Sequence, residues 1–212
     1  MGISAREEIL GRVRRAVGSP ENAAADWEGI AREYRRSSEL TQEEKLALLE
    51  DRLRDYDAGV YRASAGEVRG LVARLLGERG KTVMAVPAGF PVEWMPEGVR
   101  FVEDAREGVG EIDACEGVLT TATGAIALTG TIVLQDAAGQ GRRAVTLLPD
   151  YHLCVVLAGS VVETVPEAVG ILQGTAGLAT TFFSGPSATA DIEMTRIKGV
   201  HGPRFVDVVM VV

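Results

Sequence analysis

Histidine and cysteine are scarce in this chain. Its 212 residues hold two of each: His152, His201, Cys115 and Cys154. Two thiols exclude a disulfide framework and a four-cysteine zinc or iron–sulfur site in this chain. Two imidazoles leave little for a histidine-rich metal centre. A basic excess is also missing: 22 Lys and Arg face 30 Asp and Glu, a net charge of −8. Duplex-binding proteins need a basic surface, so no nucleic-acid partner is expected. Long apolar runs are absent. Gly117–Gln135 and Ala168–Ala190 lack charge, but Gly and Thr interrupt both, so no membrane span is predicted. Met1–Leu10 carries Arg6, Glu7 and Glu8 where a signal peptide is apolar, and the expected address is the cytoplasm. What is present, 46% hydrophobic and 25% charged residues, is the composition of a soluble globular protein with a sizeable core.

The chain has two textures. The first 80 residues hold 14 basic and 15 acidic side chains; the remaining 132 hold 8 and 15. Surface helices against a buried sheet make that contrast. It predicts a charged helical N-terminal segment over 1–80, packing on an α/β domain over 81–212. Three capping boxes mark helix starts in the front: Ser4 with Glu7, Thr41 with Glu44, and Ser64 with Glu67. Helical faces follow each: Leu10, Val13 and Val17; Leu46, Leu49, Leu53 and Tyr56; Val68, Leu71, Val72 and Leu75. A further short helix is expected near Trp27–Tyr34. The back reads as strands over Lys81–Val86, Val99–Val102, Val118–Thr121, Ala125–Leu128, Thr131–Leu134, His152–Leu157, Val161–Val162, Thr180–Phe183 and Phe205–Val212. A helix over Pro166–Leu172 has Pro at its first position. Alternating strand and helix argues an α/β fold, a sheet with flanking helices.

Three stretches carry candidate chemistry. Ser184-Gly185-Pro186-Ser187-Ala188-Thr189-Ala190-Asp191-Ile192-Glu193 follows a strand and reads as a turn into a helix. Its hydroxyls and free N–H groups suit an anion, or serve only as caps. Leu128-Thr129-Gly130-Thr131 is followed by Gly139-Gln140-Gly141-Arg142-Arg143. Gly130 permits close backbone approach, and Arg142 and Arg143 can clamp an anion through planar forks. The alternative there is a solvated hairpin tip. Gly199-Val200-His201-Gly202-Pro203 holds a loop histidine suited to acid or base work, or to a backbone hydrogen bond. His152, inside an apolar strand, reads as a core histidine. Neither a phosphate loop nor a dinucleotide fingerprint is present, so nucleotide binding is not predicted. Ser187, Asp191 and His201 occur in the order of a hydrolase triad, but no G-x-S-x-G elbow accompanies them and they span only 15 residues.

Five motifs in order resemble the LUD-domain family: Thr129–Leu134, Gly139–Arg142, Leu148–His152, Ser184–Glu193 and Gly199–Pro203. The resemblance covers roughly residues 85–212, and the charged front is similar to the N-terminal part of such proteins. It implies a fold like that of ribose-5-phosphate isomerase, glucosamine-6-phosphate deaminase and the CoA-transferases. It also implies a role in bacterial lactate utilization. There, cluster-bearing iron–sulfur partner proteins act with it to oxidise L-lactate to pyruvate, and this chain holds no cofactor of its own. Two positions depart from the family pattern. Leu128 stands where an acidic residue is frequent, and Ala188 where Arg or Lys is frequent. The second loss removes a charged hydrogen bond of about 1–3 kcal/mol from any anion site.

Together these readings predict one polar hollow at strand ends. Thr129, Gly130, Thr131, Ser184, Gly185, Ser187, Thr189 and Glu193 would bind a small anion, with Arg142 as counter-charge. Asp191 and His201 would orient it or move a proton. The rivals are a self-sufficient enzyme acting on a phosphorylated sugar or acyl-CoA compound, a compact serine hydrolase, and a docking protein without chemistry.

Overall fold

The computed structural model describes residues 4–17, 23–189, 197–198 and 202–212. The chain forms two compact units, Met1–Arg35 and Arg36–Val212. The first holds helices α1 (Ala5–Val17) and α2 (Ala23–Gly29). Ser4 opens α1, its N–H and hydroxyl both donating to Glu7 at 2.9 Å. After α2 the Arg32 guanidinium lies 4.4 Å from the Trp27 ring centre. The helix expected at Trp27–Tyr34 therefore begins earlier and stops at Gly29.

The second unit begins with α3 (Gln42–Asp55), then β1 (Gly59–Ala63) and α4 (Val68–Glu78). Thr41 caps α3 with a full capping box: its N–H donates to Glu44 at 2.8 Å and the Glu44 N–H returns to its hydroxyl at 3.3 Å. The Ser64 N–H and hydroxyl donate to the Glu67 carboxylate at 2.9 and 2.6 Å, but the Glu67 N–H returns to the Ser64 carbonyl and regular helix starts later, at Val68. The division at residue 35 thus differs from the one read after Gly80. Charge density marks α3 and α4 as surface helices, but the strand between them belongs to the main sheet. Their apolar faces belong to its core.

The main sheet adds β2 (Val83–Val86), β3 (Arg100–Glu103), β4 (Gly117–Thr121), β7 (Tyr151–Leu157) and β12 (Phe205–Val211). Its order is β1-β12-β7-β4-β2-β3, and every pairing is parallel. Parallel strands buried on both faces read as continuous apolar runs, which is why His152–Leu157 and Phe205–Val212 were legible. Alternation then sorts the side chains. Tyr151, Leu153, Val155 and Val209 pack with Val68, Val72, Leu75 and Leu76 of α4. Cys154, Val156, Val206, Val208 and Met210 face the other way, onto Leu46, Leu49 and Leu53 of α3.

That second face is shared with a smaller sheet of β5 (Gly124–Ile126), β6 (Thr131–Gln135), β8 (Val161–Val162) and β9 (Thr180–Phe183), in the order β8-β5-β6-β9. Its Ala125, Ile132 and Leu134 enter the α3 core, while Ile126 and Val133 turn outward under Ala168 of α7 (Val165–Leu172). Two short helices, α5 (Gly110–Asp113) and α6 (Arg143–Leu147), close the β2–β4 side around Val118 and Val145. The expected turn into a helix after Ser187 is not what forms. Ala188–Thr189 is strand β10, antiparallel to β11 (Ile197–Lys198). Its partner lies downstream, out of reach of a reading based on local caps.

Candidate functional site

Polar groups gather at opposite ends of the parallel strands. At the amino ends, β5 and β6 are joined through Leu128-Thr129-Gly130. The Thr129 and Thr131 hydroxyls lie 2.7 Å apart, and that of Thr131 is 2.9 Å from the Ser184 hydroxyl. Ser184 follows β9, so residues some fifty positions apart in sequence share one hydrogen-bonded row. Glycines allow the approach. Gly130 has φ +60, and a Cβ there would sit 2.7 Å from Cβ of Arg52. Gly185 has φ +72, and a Cβ would sit 2.5 Å from Cβ of Tyr56 and 2.8 Å from its carbonyl oxygen. Both turns therefore press on the last turn of α3.

Three residues beyond Ser184, the Ser187 N–H donates to the Pro203 carbonyl at 2.8 Å. A Cβ on Gly202 would stand 3.6 Å from Cβ of Ser187 and 3.7 Å from Leu147 on α6. Arg143 opens α6, one turn from Leu147, and donates to the Thr146 hydroxyl at 3.2 Å. Behind this row His152 is buried, its Nε2 2.8 Å from the Thr120 hydroxyl and its ring centre 5.1 Å from that of Phe183. Burial, and then the Arg143 charge, push its pKa down to about 3, so it stays a neutral core histidine. Cys154 beside it is pushed up to about 12 by burial and is a thiol.

Arg142 lies elsewhere. Its Nε and Nη2 each donate at 2.8 Å to the two oxygens of buried Asp104, just past the carboxyl end of β3, and Nη2 also reaches the Gly108 carbonyl. The guanidinium holds Asp104 below the usual carboxylate range. A fork already closed on a carboxylate is not a free counter-charge for the hydroxyl row. The partner, 38 residues earlier, was invisible in sequence. Arg143, read beside Arg142 as a clamp, forms no ion pair among the described residues.

The carboxyl ends have their own hollow. Strand order reverses between β2 and β4, the place where open parallel sheets bind ligands. The loop after β6 enters there. Gly139 accepts from the Thr121 N–H at 2.7 Å and donates to the Ala88 carbonyl at 2.8 Å. Gln140 ties that loop to the smaller sheet through the Gln135 N–H at 2.8 Å and the Thr123 hydroxyl at 2.9 Å. A cavity of about 250 Å³ remains, lined by Pro87, Ala88, Gly89, Asp104, Arg106, Ala137, Ala138 and Gly141.

The structure thus joins Thr129, Gly130, Thr131, Ser184 and Gly185, sets Ser187 against the loop at Gly202, and separates Arg142 from them. Thr189 is placed on β10. Asp191, Glu193 and His201 lie outside the described residues, and with them two members of the candidate triad. Among the described residues no cluster of three or more His, Cys, Asp or Glu could hold a metal ion. No helix among them is long and apolar enough to cross a membrane.

Comparison with known proteins bears on these motifs directly. Residues 46–211 match the LUD domain model. The chain is 38% identical to lactate utilization protein C of Deinococcus radiodurans over 98% of this chain and 95% of that one. It is 28% identical to lactate utilization protein C of Bacillus velezensis, covering 92% and 88%. The crystal structure of a DUF162 family protein from Deinococcus radiodurans superposes with a TM-score of 0.70 at 37% identity, over 82% of this chain and 99% of that chain. The family model spans the main sheet, the smaller sheet and every motif described above, and the chain belongs to the LUD-domain family.

Proposed function

We propose that this chain is a cytoplasmic component of a lactate utilization system, acting with iron–sulfur proteins in the oxidation of L-lactate to pyruvate. The names of its full-length relatives support the pathway. Oxidation of lactate releases two electrons and two protons, and in this reading the electrons pass to the partners' clusters. The chain's own part is to hold a small anion. The single observation that carries this is the row of hydroxyls from Thr129, Thr131 and Ser184 within hydrogen-bonding distance. Hydroxyl protons rotate, so a carboxylate or phosphate can draw them outward. Arg143 takes the role of counter-charge, and Ser187, Thr189 and Glu193 are the further residues proposed to contact the anion. Asp191 and His201 are the groups proposed to orient the anion or move its proton.

Thermal unfolding of the purified chain tests the site. L-lactate, pyruvate or inorganic phosphate at about 10 mM is expected to raise Tm, and Thr131→Val and Arg143→Gln to shrink the rise. No rise with any of the three anions removes the pocket. Growth on L-lactate tests the pathway: a deletion strain is expected to fail until the wild-type gene is restored. Normal growth of that strain would overturn the role. Restoration by His201→Ala would remove the proton-transfer part alone.

A further inference from the structure

Beside the hydroxyl row one buried polar atom has no role yet. His152 is 2% exposed and stands on β7 next to Thr120 of β4. The elements that supply Ser184 and Arg143 flank it. The Phe183 ring, one residue before Ser184, lies 5.1 Å away with its plane tilted by 37°. The Arg143 charge acts on the imidazole from the start of α6.

A chain of hydrogen bonds fixes the tautomer. The Thr121 carbonyl can only accept, so the Cys154 thiol donates to it, at 3.8 Å. The Thr120 hydroxyl donates to the Cys154 sulfur at 3.5 Å. A hydroxyl has one proton, so across the 2.8 Å contact with Thr120 the donor is Nε2–H of His152. Nδ1 is then a bare lone pair. Among the described residues nothing donates to it, and Arg143 gives its Nη1 to the Thr146 hydroxyl instead. No fully enclosed polar side-chain atom among these residues lacks a partner, so Nδ1 borders a space that another atom can enter. A carboxylate oxygen only accepts and cannot answer a lone pair, whereas a hydroxyl can.

We propose that His152 determines specificity in the candidate anion site: Nδ1 accepts from the hydroxyl of a small hydroxycarboxylate whose carboxylate meets Thr131 and Ser184. The inference rests on the anion site proposed above and adds a preference for the hydroxy acid over the oxo acid of the same skeleton. With its pKa at about 3, the ring is too weak a base to remove the hydroxyl proton, so His152 is a positioning residue.

Calorimetric titration of the full chain with L-lactate, pyruvate and propionate, which lacks the hydroxyl, tests this. L-lactate is expected to bind about threefold to tenfold tighter than either. His152→Gln still meets Thr120 but leaves nothing at Nδ1, and should bring that ratio to about 1. Should this variant fail to fold, the ring nitrogen shifts of the wild type decide. A bare Nδ1 whose signal moves with L-lactate and not with propionate supports the assignment. A protonated Nδ1, or one that L-lactate leaves unmoved, overturns it. Equal binding of L-lactate and propionate, or a preference that survives His152→Gln, overturns the role of His152 and leaves the anion site standing. No binding of any of the three overturns the site and this inference with it.

Discussion

Acidification from about pH 7 to about pH 4.5 should cost this fold about 2–3 kcal/mol through His152 alone. The imidazole is fully buried between the two sheets, against Thr120 and Phe183, and its pKa falls from 6.5 to about 3. Burial is the larger cause and the Arg143 charge the smaller. The sign follows from which state takes the proton. Below the ordinary value the unfolded chain binds a proton that the folded chain refuses, so stability falls as pH drops from 6.5 towards about 3 and is flat above that window. Each pH unit in the window is worth about 1.4 kcal/mol, and two units give the figure above. Asp104 and Asp150, held low by Arg142 and Arg204, also lose stability in acid, so the measurement is a difference. Urea unfolding at the two pH values is compared for the wild type and His152→Gln, whose amide can still meet the Thr120 hydroxyl. The wild type is expected to lose about 2–3 kcal/mol more than the variant. Equal losses would refute a neutral buried His152.

Other expectations follow from the same packing. Asp207 is fully buried and accepts from Arg79 at 2.6 and 2.8 Å and from the Tyr151 hydroxyl at 2.8 Å. Arg79→Met strands that carboxylate and should lower urea stability by about 3–5 kcal/mol; a loss under about 1 kcal/mol would mean the carboxylate finds water or a proton. Gly185→Ala forces a side chain into a left-handed conformation against the Tyr56 backbone. The strain alone should cost about 1–3 kcal/mol, and the anion-induced rise in Tm should weaken with it; an unchanged midpoint would show the turn can move away from α3.

Periodicity made most of the architecture legible. Leu46, Leu49 and Leu53 recur at helical spacing and are buried. The apolar runs of β7 and β12 are strands covered on both faces. β1 was hidden because Gly59–Ala63 is short and carries Arg62 inside a charge-rich stretch. β10 was misread because Ser, Gly and Pro at 184–187 suit a helix cap as well as a hairpin, and only the distant Ile197–Lys198 decides.

For the site, the residue types at Thr129–Thr131 and Ser184–Ser187 announced hydroxyls and left-handed glycines, and those are local properties of the chain. Which hydroxyls meet is not local. Thr131 reaches Ser184 because β6 and β9 are neighbours in the smaller sheet. Arg142 and Arg143 are adjacent and chemically alike, so no sequence reading could separate them. The tertiary structure does, because one lies within reach of the Asp104 carboxylate and the other starts the helix that leads to Gly202. Short-range sterics and hydrophobic period thus determined elements and turn residues. The partners of each charge were decided by strand order, which brings together groups that the covalent chain keeps far apart.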